Sequence, residues 1–534
     1  MLRRLRPIGP DLGIILLLLA LPLILFAPVT LGDRTLLPAD NLYQWEPFAS
    51  YREVVGAPDV PHNALLSDLV LENYVWKGFI RNSLQGGEIP LWNPHLFAGV
   101  PFLAAGQHSA LYPLSVLYYV LPLASAYGWY TVIQLWLAGL FMYGMARGFG
   151  QQRTGATVAA VSWQLSGWFL ARFVFPMILG AAAWLPLLML MVEFVIQARP
   201  LRGRPATLPW AAAGAISLGL VIYAGHVEIT YYTLLILGCY AAARLLTGWW
   251  AARREAGAFG RVARRGAWLL VMVGFGLALG AGQFLPLFEL ASRNFREGSA
   301  TLEQVRSWAY PARRTLAFFM PNFFGSPADH AYFDVFSGQT VPVTINALGQ
   351  RIDTIYWGIK NYVEGGAYLG ILPMALAAFG LVAAWIGRRP PSRRPAVASL
   401  PPQGRKGASV PDDSPVIRDK PYRAIFAAMA AVSITFIFGT PTYALLYYGL
   451  PFVNQLHSPF RWVFALTLAV AALAGYGADA LAGLRGLHPA RQSRTPFPHQ
   501  EGREQAAASS ADFPLPLHGG GEATTGRRGG GVLD

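Results

Sequence analysis

Apolar runs separated by short basic or Pro- and Gly-rich stretches dominate the chain. The first, "IILLLLALPLILFAPVTL" (14–31), follows a basic "MLRRLRP". A hydrocarbon core about 30 Å thick needs roughly 20 apolar residues in a helix. This run exceeds the ~7–15 apolar residues usual in a cleaved signal peptide, and more spans follow, so it reads as an uncleaved first helix. Further runs at about 126–146, 154–171, 177–197, 209–224, 229–249, 267–288, 365–387, 423–440 and 461–484 bring the expected number of membrane helices to ten. The pattern therefore predicts an all-α multi-pass membrane protein. "LYPLSVLYYVLPL" (111–123), short and holding two prolines, reads as interfacial or re-entrant.

Charge sets the orientation. Arg199, Arg202 and Arg204, then Arg253, Arg254, Arg261, Arg264 and Arg265, then Arg388, Arg389, Arg393, Arg394, Arg405 and Lys406 occupy alternate loops. The positive-inside rule makes those loops cytoplasmic. Both termini follow them, in what reads as a bacterial cytoplasmic membrane. Two large loops, 33–125 and 291–360, fall outside, and the first carries Asp33, Asp40, Glu46, Glu53, Asp59, Asp68, Glu72 and Glu88. Any chemistry is expected on that outer face.

Composition sharpens this reading: of 534 residues, 54% are hydrophobic and only 13% charged, far from a soluble domain. The net charge of +14 does not indicate nucleic acid, because the cations sit in clusters between apolar runs rather than along one face. The single cysteine, Cys239, excludes an intramolecular disulfide and a thiolate metal site and reads as packing. Segment 388–420 is a Pro-rich basic cytoplasmic linker, and 486–534 is low in complexity and expected to be disordered, leaving 1–485 as the membrane domain. No P-loop, dinucleotide fingerprint, nucleophile elbow or HExxH motif is present.

The first outer loop holds "PADNLYQWEPF" and then "SDLVLENYVWKGFIRNSLQGGEIPLWNPHLFAGVPFLAAGQHSALYP". Later come "AGHVEITYY", "GQFLPLFELASRNFREG", "MPNFFGSP", "YVEGGAYLGILPM" and "LHSPFRWVFALTLAVAALAGYGADAL". Taken in this order, the features resemble the YfhO-like bacterial membrane proteins within the wider C-type (GT-C) glycosyltransferase superfamily. The resemblance covers most of 10–485. It implies an enzyme that transfers a sugar from a polyprenyl-phosphate donor to an envelope polymer or protein acceptor outside, with an acidic residue of the first outer loop as general base. It also implies further helices and an outer soluble domain where this chain instead runs into its tail.

Inverting glycosyl transfer needs a carboxylate to take the acceptor's proton and a cation to stabilise the leaving phosphate. Asp68, at the start of an amphipathic segment, and Asp40 are the candidate bases; each is equally readable as a cap or turn residue. Arg293 and Arg296, beyond the seventh span, are candidate phosphate ligands or else lipid-headgroup anchors. His226 and Glu228 emerge together at an outer helix turn, a functional hint inside a membrane protein. They read either as ligands of a divalent cation, for which two side chains are too few to define a site, or as a surface hydrogen-bond pair. Trp92, Asn93 and His95 either scaffold the loop or shape an acceptor pocket, and His108 is either structural or part of the site. Glu364, His457 and Arg461 lie at outer helix ends. The rival class is a non-catalytic or degenerate membrane protein, or a lipid-linked-sugar transporter, although the inverted repeats of a transporter are not evident.

Overall fold

The computed structural model describes residues 9–63, 66–293, 300–326, 331–334, 336–342, 362–386, 421–455 and 458–485. The linker 388–420, the tail 486–534 and part of the second outer loop lie outside them. The described chain is mostly helical, with two antiparallel hairpins, Trp92–Asn93 with Val100–Pro101 and Ala331–Asp334 with Gln339–Pro342.

Among the described residues, four helices are long and apolar enough to cross a membrane: Pro176–Gln197, Val227–Ala252, Ala258–Ser292 and Pro459–Leu484. A fifth is added if Tyr422–Ile437 and Pro441–Gly449, bent by 102°, count as one span. The other expected stretches are helical but shorter or broken. Gly9–Leu25, Leu208–Tyr223 and Ile371–Ile386 have 17, 16 and 16 residues. The 154–171 stretch divides into Arg153–Gln164 and Gly167–Leu170. Helix Leu123–Gly148 has 26 residues but mixes Tyr, Trp, Gln and Gly with its aliphatic ones.

Burial separates inner from peripheral helices. Pro459–Leu484 and Pro176–Gln197 are 89% and 83% buried over their apolar windows, whereas Ala258–Ser292 is 28% buried. Small residues let the central helix approach its neighbours. A Cβ on Gly477 would lie 1.9 Å from the Leu376 carbonyl oxygen, and one on Gly475 would lie 2.6 Å from that of Gly155. On the periphery, Gly276 and Gly280 receive Leu218 and Ile222 from Leu208–Tyr223. Small residues four apart are a usual way for helices to pack in lipid, where close van der Waals contact replaces the hydrophobic effect as the driving force.

At the ends of the helices that the charge pattern puts inside, polar groups are paired within the protein. Glu193 and Arg244, both fully buried, share two hydrogen bonds of 2.8 and 2.6 Å. The hydroxyls of Tyr240 and Tyr422 each donate to the same carboxylate at 2.7 Å. Four residues from three helices are thereby tied at one point. Asp479 of the central helix accepts from the backbone N–H of Gln152 at 2.7 Å and of Gly155 at 2.9 Å, capping Arg153–Gln164 from a distant part of the chain. An N-terminal carboxylate both satisfies otherwise unpaired amides and complements the helix dipole.

Candidate functional site

At the opposite ends of these helices lies a cavity of about 300 Å³. Its walls come from the loop 33–125 (Asp68, Glu72, Trp76, Gln107), the break after Arg153–Gln164 (Trp168, Arg172), the turn before Val227–Ala252 (His226), the segment before Ile371–Ile386 (Glu364) and the start of the helix Pro459–Leu484 (Ser458, Arg461). Every one of these segments belongs to a loop or helix end that the alternation of basic residues assigns to the outer side.

Residues 67–85 form one helix interrupted by a π-helical turn, Leu69–Asn73. Such turns are rare and are frequent at functional sites. Here the turn puts Asp68 and Glu72 on the cavity wall together with the buried Leu69 and Asn73, while Val70 is buried away from it. Asp68 has helical dihedrals and its side chain makes no capping hydrogen bond, so it is not a cap. Desolvation, and then the neighbouring Asp68 carboxylate, raise the Glu72 carboxyl above its ordinary value.

Two guanidiniums, Arg172 and Arg461, line the same cavity. Arg172 is buried, with its fork donating to the carbonyls of Trp168 (3.2 Å), Glu364 (3.1 Å) and Gly366 (3.4 Å), and it stacks on Trp168 at 4.9 Å. Arg461 pairs with Glu228. His226 accepts from the Ile229 amide through Nδ1 (3.2 Å), which caps Val227–Ala252 and leaves Nε2 as the protonated nitrogen of a neutral ring.

The remaining first-loop residues are scaffold. His108 is buried, stacks on Phe102 at 4.3 Å, bonds the Phe102 carbonyl through Nε2 (2.9 Å) and accepts from the Ala110 amide through Nδ1 (3.0 Å). Burial first, then the nearby Lys77 ammonium, push its pKa down to about 4. Lys77, itself buried, donates to the His108 carbonyl at 2.6 Å and lies 4.4 Å from the centre of the Tyr118 ring. The whole loop is then docked beside His226: Ser109 donates to the Ala224 carbonyl at 2.7 Å, and Gly225 meets the Gly106 backbone so closely that a Cβ would lie 2.1 Å from its oxygen. With φ of 90° as well, Gly225 has no tolerated replacement.

Of the residues singled out by sequence, Asp68, His226, Glu364 and Arg461 come together on the cavity, and Glu228 stands behind Arg461. Asp40 is elsewhere: it accepts from the backbone and ring N–H of His62 at 2.8 and 2.9 Å and so clamps a turn. Trp92, Asn93 and His95 form a surface hairpin, and His108 lies under the loop, none of them lining the cavity. Arg293 is exposed and faces Glu289 at 3.5 Å, one helical turn away. Arg296 and His457 lie outside the described residues. Sequence reasoning passed over Arg172 and Glu72. A signal for Arg172 was present, because it is the sole charged residue between Arg153 and Glu193, and ionisable groups within apolar segments are functional by default. Glu72 lies one turn beyond Asp68 and could have been paired with it by spacing.

Among the described residues, no group of three or more His, Cys, Asp or Glu side chains is arranged to hold a metal ion. No protein-family model, no curated protein and no solved structure matches the chain.

Proposed function

We propose that the chain is a glycosyltransferase of the bacterial cytoplasmic membrane that uses a polyprenyl-phosphate sugar and resembles the YfhO-like group of the GT-C superfamily. In this reading all ten apolar stretches cross or enter the bilayer, both termini are cytoplasmic, and the cavity opens outside. One observation carries the proposal: two carboxylates, Asp68 just before the π turn and Glu72 within it, share a cavity with two guanidiniums, Arg172 and Arg461, drawn from segments that are far apart in sequence. Transfer with inversion needs that pair of functions in one place.

The acceptor hydroxyl attacks the anomeric carbon and loses its proton to a carboxylate. The bond from that carbon to the phosphate oxygen breaks, and its electron pair leaves with the polyprenyl phosphate. Asp68 is assigned as the base, because it lines the cavity and its side chain is not taken up by a helix cap. Arg172 and Arg461 replace Arg293 and Arg296 as ligands of the phosphate, since a guanidinium binds phosphate oxygens through two parallel N–H groups. The carbonyls of Glu364 and Gly366 and the carboxylate of Glu228 hold these two forks in place.

The test is transfer of radiolabelled sugar from synthetic polyprenyl-phosphate donors by the reconstituted chain. Arg172→Lys should weaken donor use, because Lys keeps the charge but not the fork. Absence of transfer from every lipid-linked donor would discard the enzyme reading in favour of a non-catalytic membrane protein. Orientation has its own test: Ser50→Cys, at an exposed site, in a Cys239→Ser background should react with an impermeant maleimide in intact cells.

A further inference from the structure

The first outer loop contains an excursion, Ile89–Pro101, that the cavity does not use. Its ladder is two residue pairs long, Trp92 with Pro101 and Asn93 with Val100. Three consecutive residues at its tip, Phe97, Ala98 and Gly99, have φ of 49°, 62° and 117°. Non-glycine residues in this region are uncommon, and a run of them persists only where the surroundings impose it. The surroundings are visible. Asn93 Oδ1 accepts from the His95 amide at 3.0 Å, and the Trp92 indole covers Gly99 so closely that a Cβ there would sit 2.4 Å from Nε1. The His95 ring rests edge-on against Phe79 at 5.9 Å.

This construction holds large apolar side chains in the open. Phe97 is 94% exposed, and Ile89, Leu91, Trp92 and Leu96 are 64%, 60%, 54% and 45% exposed. No Asp, Glu, Lys or Arg occurs from Ile89 to Gln107. Single exposed apolar residues need no explanation, but five on one rigid excursion mark a contact surface.

Its root lies beside a peripheral membrane helix. The Phe102 amide donates to the Leu91 carbonyl at 2.9 Å, and Gln283 of Ala258–Ser292 donates to the Leu103 carbonyl at 2.8 Å. Gln283 lies nine residues before Ser292, or about 14 Å along the helix at 1.5 Å per residue. Around that level the same helix exposes Leu279, Leu285 and Phe288.

We propose that Ile89–Pro101 is a lipid-binding finger whose tip, led by Phe97 with Trp92 behind it, inserts into the headgroup and upper acyl region of the leaflet into which the outer end of Ala258–Ser292 projects. The argument for lipid over protein is threefold: the finger is rooted on a helix that is itself apolar and exposed at that level, it lacks any charge for a specific partner, and Trp with aliphatic and Phe side chains is the set that favours a membrane interface. The finger is independent of the catalytic proposal.

The experiment uses the full chain in a Cys239→Ser background, reconstituted in phosphatidylcholine–phosphatidylglycerol nanodiscs holding one copy each. Phe97→Cys carries an environment-sensitive fluorophore, and Glu53→Cys on the same outer loop is the control. The expected result is blue-shifted emission at 97, quenched by lipids spin-labelled near the headgroup, with water-like and unquenched emission at 53. Water-like emission at 97 that lipid quenchers leave unchanged overturns the proposal. So does a blue shift without lipid quenching that appears only when two copies share a disc, which would assign the face to a second copy. Because a bulky label could itself alter the tip, the unlabelled chain provides the second readout through its 16 tryptophans: a component of Trp emission quenched by brominated lipids that is lost in Trp92→Phe supports insertion, and identical quenching of the two proteins counts against it.

Discussion

The two ends of the helix bundle use the same residue types and arrange them in opposite ways. At the end assigned to the cytoplasm, Glu193 and Arg244 are fully buried, mutually bonded and joined by two tyrosine hydroxyls. At the other end, Asp68, Glu72, Arg172 and Arg461 line a cavity, and the two guanidiniums are anchored at its wall by the Glu364 carbonyl and the Glu228 carboxylate. A charge whose partners close around it serves the fold. A charge held from one side, with space on the other, is available to a ligand. The difference separates a structural cluster from a candidate site without reference to any relative.

Five substitutions probe that contrast and the devices around it. The largest effect is expected at Asp68. Removing a general base typically costs about 10²-fold to 10⁴-fold in rate, so Asp68→Asn should leave thermal stability in detergent unchanged while sugar transfer nearly vanishes; full transfer by this variant, with Glu72→Gln inactive, would move the base to Glu72. Next is the opposite end. Arg244→Met leaves the Glu193 carboxylate buried without its cation, a change worth about 3–5 kcal/mol, and should reduce folded yield and melting temperature sharply. An equally stable Arg244→Met protein would show that the cluster does not lock the bundle.

Smaller effects follow for the two devices that fix local structure. Asp479→Ala removes a cap worth about 1 kcal/mol and should lower the melting temperature modestly without changing transfer per folded molecule. Lys77 supplies a pH signature. Burial lowers its pKa from 10.5 to about 7. The folded state therefore binds fewer protons than the unfolded state between pH 7 and 10.5, and stability from this group rises with pH across that window. Thermal melts of the parent and of Lys77→Met from pH 7 to 9.5 should show a smaller rise in the variant. Parallel curves would mean that Lys77 does not carry the dependence.

Much of this architecture was legible along the chain. The apolar runs locate the helices because a segment entering lipid must satisfy its backbone internally and present apolar side chains, and both demands are written within some 20 consecutive residues. The basic clusters mark alternate ends by the same local logic, and the segments they assign to one side are those that meet at the cavity. Asp68, His226, Glu364 and Arg461 were accessible to such reasoning because each stands at a visible helix end. Tertiary structure alone decided that Asp40 clamps His62 while Asp68 borders the cavity, that Arg172 reaches carbonyls 192 and 194 residues away, and that Asp479 caps a helix 324 residues earlier in the chain. Periodicity and charge alternation report how a residue sits on its own helix. Which helix it faces depends on the packing of small residues such as Gly225, Gly276 and Gly477 against partners remote in sequence, and that complementarity has no local signature.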